Sequence, residues 1–354
     1  MGQAISSPRR HPVITPKVAA VATSVPPYRF DQTTLRRLAG NGDARRTGLF
    51  ANGHAEGRPL DVDRDSFTPG ESVDQSHARV RRRAVELGKL AVLRVLERAR
   101  WLREDVDFLA TTTCTGRMWP SLDAQLIEEL GLKSSIQRVP VGDTGCASAM
   151  VALQQACNYL HAFPDHRAIV VAVDICSAAY GPDDRLESAV AHGIFADGAG
   201  AIALDTASGG PSIVRHRTIF RSERLPAIGF EYPGGRPQVV LAKDVRGIDA
   251  AMIKEMANTL LAAQGLKQAD IGHYIVHSVG RRAIDEAAEL MDLEDDQLAH
   301  SRRVLRDYGD MSAATVLFVL DEVLRARQRP APGDWGLMIA LGPGFAAEGA
   351  LLKW

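Results

Sequence analysis

The chain has 354 residues, 45% of them hydrophobic and 24% charged, with a formal net charge of −1. This length supplies ample core for one large domain or two ordinary ones, and the even charge balance implies no broad nucleic-acid or acidic-membrane surface. Cys114, Cys146, Cys157 and Cys176 show neither CxxC nor Cys/His metal spacing, so they read as reduced thiols of a cytoplasmic protein without a metal.

In chain order, the opening "MGQAISSPRRHPV" lacks the apolar core of a signal peptide, and no apolar stretch reaches membrane-spanning length. Gly2 to Ser6 fits an N-myristoylation pattern, a short match that stands alone and is attributed to chance. Residues 40–77, rich in glycine and charge, predict a long loop with short helical pieces. "RVRRR" (Arg79 to Arg83) predicts the solvated face of a helix that continues as "RRAVELGKLAVLRVLERARWL", followed by Asp105 and a strand, "VDFLATTTCTG". "DTGCASAMVAL" (Asp143 to Leu153) opens a second helix, and "FADGAGAIALD" (Phe195 to Asp205) reads as a glycine-rich strand.

The order then repeats. Beyond the breaker "TASGGPS" (Thr206 to Ser212) and a predicted hairpin or substrate-covering insert over 216–249, a helix, "DAAMIKEMANTLLAAQGLKQA", leads to Asp270 and the strand "IGHYIVHSVG". "DYGDMSAATVL" (Asp307 to Leu317) shares Asp, Gly, Ser, Ala and Leu with "DTGCASAMVAL" at matching positions, and "LGPGFAAEGALLKW" (Leu341 to Trp354) closes the chain as strand. Two duplicated halves, 1–206 and 213–354, each alternating strands and helices, predict an α/β architecture packed about a pseudo-twofold axis. Under that symmetry Cys146 and Asp310 are equivalent, each starting a buried helix beside one central pocket.

A cysteine at a helix N-terminus meets free N–H groups and a dipole that favour its thiolate, so Cys146 reads as a nucleophile. Gly145 permits a tight turn there, and Ala147, Ser148 and Ala149 leave space around the sulfur. Cys157 and Cys176 read as apolar core. His277 ends its strand at the edge where α/β folds bind ligands, whereas His273 begins that strand at the opposite end.

Together "DTGCASA", "HYIVHSVG", "RDYGDMSAATVLFVLDEVL" and "ALGPGFAAEGALL" resemble the thiolase superfamily, and within it the type III polyketide synthases of the chalcone synthase kind. "LAKDVRG" and "LFANGHAEGRPL" resemble further segments, and "CSAAY", "DIGHYIVHS", "VLRDYG" and the terminal tryptophan are most similar to bacterial dihydroxyphenylacetyl-CoA synthases. The resemblance implies a homodimer of five-layered αβαβα subunits in secondary-metabolite biosynthesis, with coenzyme A thioesters as substrates and no permanently bound cofactor. It implies a Cys-His-Asn triad, matched by Cys146, His277 and, in place of asparagine, Asp310. Phe195 matches a gatekeeper phenylalanine; Leu341 with Gly342, Pro343 and Gly344 matches a cavity-shaping loop, and Trp119 a residue that reaches across the dimer. Arg58, Arg281 and Arg282 are candidates for coenzyme A phosphates, with ordinary solvated arginines the alternative for each. The phosphopantetheine of an acyl carrier protein is an alternative donor.

In the family's reaction a malonyl thioester loses CO₂ and its enolate attacks the acyl-cysteine, the enolate oxygen being held by histidine and asparagine donors. An ionised Asp310 has no donor. At about 4 Å and an effective dielectric near 20, like charges repel by roughly 4 kcal/mol, and a lost donor adds about 3 kcal/mol. This favours acyl transfer from Cys146 to an alcohol, amine or water, with His277 as base and Asp310 as its partner. The alternatives are decarboxylative condensation with a protonated Asp310, and a non-catalytic partner subunit.

Overall fold

The computed structural model describes residues 14–38, 55–62, 71–180, 185–242, 245–277 and 280–354. Most of the loop predicted over 40–77 lies outside them, although β3 (Gly57–Pro59) falls within it and pairs with β2 (Arg29–Asp31), which leads into α1 (Gln32–Leu38).

Among the described residues a nine-stranded sheet runs β11-β12-β13-β8-β1-β7-β6-β4-β5. On one side are β1 (Lys17–Ser24), β4 (Phe108–Thr113), β5 (Gln137–Gly142), β6 (Ala168–Ile175) and β7 (Asp197–Asp205). On the other are β8 (Ser212–Phe220), β11 (Ile271–His277), β12 (Trp335–Gly342) and β13 (Ala346–Lys353). The two sides meet at a single pairing, Lys17 with Ser212. β4-β6-β7-β1 and β11-β12-β13-β8 have the same sense throughout, one parallel pair followed by two antiparallel ones.

Hydrophobic patterning assigns the helices to layers. α2 (Val73–Ala99) starts at a capping box between Ser72 and Gln75 and stops where Arg100 turns left-handed. Its buried stripe, Val80, Ala84, Leu87, Ala91 and Val95, covers one outer face with α3 (Leu122–Leu130). α6 (Val245–Ala262) and α7 (Arg281–Met291) cover the opposite face. Between the two sheet sides lie α4 (Ser148–Ala162), packed on β4, β6, β12 and β13, and α8 (Thr315–Arg325), packed on β1, β7, β11 and β12. The result is the five-layered αβαβα arrangement of the thiolase fold. β6, "AIVVAVDI", is buried at every position, as a central strand covered on both faces must be.

Three features differ from expectation. β8 continues through Phe220, so the insert is shorter than 216–249; its core is the antiparallel hairpin of β9 (Ile228–Glu231) and β10 (Gln238–Leu241). In "RVRRR", Arg79 and Arg83 are partly buried and paired with Glu71 and Asp61, leaving Arg81 and Arg82 as the solvated positions. Arg58 is wholly buried, its guanidinium donating to the Tyr180 hydroxyl, the Phe195 carbonyl and Gln32 Oε1. It joins β3 to the site from behind and is closed to coenzyme A.

Candidate active site

Cys146 sits in a 3₁₀ turn (Gly145–Ala147) that runs directly into α4. Gly145 has φ +62°, and a Cβ there would stand 2.1 Å from Pro343 Cδ, so the Cys146 turn is pressed against the loop after β12. The equivalent glycine of the second copy, Gly309, also has positive φ, +76°, and abuts Arg58. The two similar segments thus build the same kind of turn twice, one presenting Cys146 and the other Asp310.

Asp310 and His277 are each 1% exposed, with His277 Nε2 and Asp310 Oδ1 3.7 Å apart. Asp310 Oδ1 accepts from the Ser312 N–H at 2.8 Å and the Thr315 hydroxyl at 3.2 Å. Its other oxygen, Oδ2, and His277 Nε2 are buried without a hydrogen-bond partner. Ser312 also donates from its hydroxyl to Cys146 Sγ at 3.2 Å, so one residue ties the sulfur to the carboxyl. The backbone N–H of Asp310 donates to Ile194 and its carbonyl accepts from Ala196, fixing Phe195 beside it.

Burial pushes the Cys146 thiol well up from its ordinary value, and negative charge on Asp310 pushes it further, while the Ser312 hydroxyl opposes both. The 3₁₀ turn holds the sulfur in a low-dielectric interior, where desolvation disfavours the thiolate.

A cavity of about 260 Å³ opens over Cys146, with Phe195 and Pro343 among its walls. His277 and Asp310 stand behind that lining. Leu341 and Gly342 are buried too, Gly342 against the Ala147 backbone, and Gly344 beside Phe220. Trp119 is 88% exposed and is not among the residues lining this cavity. Arg281 and Arg282 are exposed at the start of α7, Arg281 bonded to Asp285 at 3.2 Å. His273, at the other end of β11, meets Asp334.

Four contributors went unread in the sequence. Besides Ser312 and Thr315 they are Cys114, whose sulfur is 3.0 Å from Ser312 Oγ, and Asp174. Asp174 accepts from the backbone of Cys114, Thr115 and Ala313, joining the end of β4 to the Asp310 turn. Ser312 had a signal, since it repeats Ser148 in the first copy; Asp174, at the end of an apolar strand, had none. Cys176, read as core, is buried and also lines the cavity.

Residues 66–208 match the family description "Chalcone and stilbene synthases, N-terminal domain", and residues 238–354 match its C-terminal counterpart. A 3,5-dihydroxyphenylacetyl-CoA synthase of Streptomyces toyocaensis is 30% identical, covering 100% of this chain and 92% of its own. A 1,3,6,8-tetrahydroxynaphthalene synthase of Streptomyces peucetius subsp. caesius is 31% identical over 98% of this chain and 95% of its own. Among solved structures, the tetrahydroxynaphthalene synthase of Streptomyces coelicolor A3(2) superposes with a TM-score of 0.88 at 26% identity, covering 96% and 99% of the two chains. PKS-I of the brown alga Ectocarpus siliculosus gives 0.89 at 28%, covering 98% and 100%. The paired glycine turns, the five layers and these matches agree that the chain belongs to the chalcone and stilbene synthase family, the type III polyketide synthases, whose reactions transfer acyl groups.

Proposed function

We propose that the protein is a polyketide synthase that loads an acyl group from a coenzyme A thioester onto Cys146 and condenses it with a malonyl unit as that unit loses CO₂. The supporting observation is the pair of buried, unpartnered polar atoms on adjacent side chains, His277 Nε2 and Asp310 Oδ2. Oδ1 of Asp310 is already an acceptor twice over, so Oδ2 is the oxygen free to hold a proton, and a protonated carboxyl donates as an amide does. Two donors then converge on the enolate oxygen. A neutral carboxyl also suits Cys146, because a carboxylate there opposes formation of the thiolate.

In loading, a bond forms from Cys146 Sγ to the acyl carbon and the C–S bond of coenzyme A breaks; the thiol proton passes through His277 to the departing sulfur. In condensation the malonyl carbon–carboxyl bond breaks, the enolate carbon attacks the acyl carbon, and Cys146 departs. Transfer without decarboxylation, favoured by the sequence, is the weaker reading. A hydrolase-type base needs its carboxylate on the ring nitrogen remote from the reacting atoms, whereas Asp310 lies beside Nε2, the nitrogen that has no hydrogen-bond partner. A non-catalytic role leaves the cavity over the sulfur unexplained.

In the same reading Phe195 gates the cavity and residues 341–344 shape it. Arg281 and Arg282 contact coenzyme A phosphates, a carrier-bound phosphopantetheine being the other donor of the same thioester. Trp119 reaches into a second copy of a homodimer.

The test is CO₂ release from malonyl-CoA by Asp310→Asn and Asp310→Ala. Asparagine keeps the donor and should stay within about threefold of the parent, while alanine should lose about a hundredfold or more. A gain near a thousandfold in the asparagine variant would mean an ionised Asp310 and overturn the reading. So would acyl-Cys146 formed by the parent with no CO₂ released.

A further inference from the structure

The wall of the Cys146 cavity narrows the acyl group itself. Val190 and Ile194 of α5 (Leu186–Ile194), Phe195, Ile228 and Phe230 of β9 and Val239 of β10 form an apolar lining. Among the described residues the charged lining groups are Arg117 and Asp143, which pair with each other at 3.3 Å and are 77% and 74% exposed, so they belong to the mouth. Among the described residues such a wall offers a carboxylate no cation to replace its lost hydration, whereas each methylene gains by leaving water. A water-sized group occupies about 30 Å³. The 260 Å³ cavity therefore accepts roughly eight or nine heavy atoms.

We propose that the group loaded on Cys146 is a medium-length apolar acyl chain, from about hexanoyl to octanoyl, packed against Val190, Ile194, Phe230 and Val239. A malonyl or acetyl unit leaves this wall unfilled. The inference rests on the loading step proposed above, in which the Sγ–acyl bond forms as the coenzyme A thioester breaks and the thiol proton ends on coenzyme A.

The test incubates the full chain with saturated acyl-CoAs from acetyl to tetradecanoyl, reading the second-order rate of Cys146 acylation by intact-protein mass, with CO₂ release from malonyl-CoA followed separately. The rate should rise about fourfold per methylene as far as octanoyl and fall beyond it. Ala191→Phe, which fills the wall at a buried lining position, should move the maximum to shorter chains. A phenylacetyl-CoA arm separates an aryl from an aliphatic source; loading by either well above acetyl upholds the apolar class. A flat profile, or acetyl or malonyl loading fastest, overturns the inference. If chain length governs loading but no CO₂ appears, the synthase reading fails and this one stands; if CO₂ appears with loading indifferent to chain length, the reverse holds.

Discussion

Ser312 has φ +52°, an uncommon conformation for a residue with a side chain, and that turn lets it reach two site groups at once. Its N–H holds Asp310 while its hydroxyl holds the sulfur of Cys146. Ser312→Ala removes the second bond and keeps the first. Cys146 acylation at neutral pH should therefore slow about tenfold, with stability changed by no more than about 1 kcal/mol. Intact-protein mass against time checks the first and urea unfolding the second; an unaltered rate would show the hydroxyl dispensable. The sequence marked Cys146, His277 and Asp310 as candidates by the internal similarity and by strand-end position, and the structure gathers their side chains in one place. Asp174 was not marked, because an aspartate closing an apolar strand gains its meaning from the Cys114, Thr115 and Ala313 amides it bonds, which lie far away in the chain. Arg58 misled for the same reason: its partners are Gln32, Tyr180 and Phe195, and only their convergence buries it.

Among the elements, the turn before α4 is the most sensitive to shape. Gly145→Ala places a methyl into Pro343 at a left-handed φ, so it should cost about 2 kcal/mol or more and displace the 341–344 loop. Loss of Cys146 acylation, measured alongside thermal unfolding, is the expected result; a stable variant that acylates normally would contradict the close packing. β13 carries a different signature. Glu348 is 8% exposed, and burial pushes its carboxyl up to about 7, with the Thr218 hydroxyl opposing. The folded state then keeps this proton to higher pH than the unfolded chain does. Stability is unaffected below the ordinary value of 4.5 and falls as pH rises from there through about 7, where a charge must be buried. Glu348→Gln should gain at most about 3 kcal/mol well above that range and almost nothing below it. Unfolding curves across pH that stay parallel for parent and variant would refute this. Helices, strands and their order were readable from period and breakers, whereas the end of β8 was not: its last residues pair with β13, and pairing sustains a strand where local pattern has already turned polar.

At the scale of the molecule, the matching strand order on the two sides of the sheet supports our proposal that the chain is a duplication, 1–206 and 213–354, about a pseudo-twofold axis. Among the described residues no helix is long and apolar enough to cross a membrane. An indole that is 88% exposed beside the mouth of the site fits a homodimer in which Trp119 is covered by a second copy. Sedimentation should give twice the chain mass, and Trp119→Asp should shift it toward the single chain; a parent that sediments as one chain would exclude the dimer. By itself the sequence determined the family and the α/β class and pointed to a repeat and to candidate reactive groups, because periodicity and motif are local properties of a chain. Tertiary structure decided what those groups can do. The burial that raises the Cys146 thiol, the two donors on Asp310 Oδ1, the free Oδ2 beside His277 Nε2 and the apolar wall over the sulfur all arise where distant segments meet and exclude water, and desolvation has no counterpart in residue order.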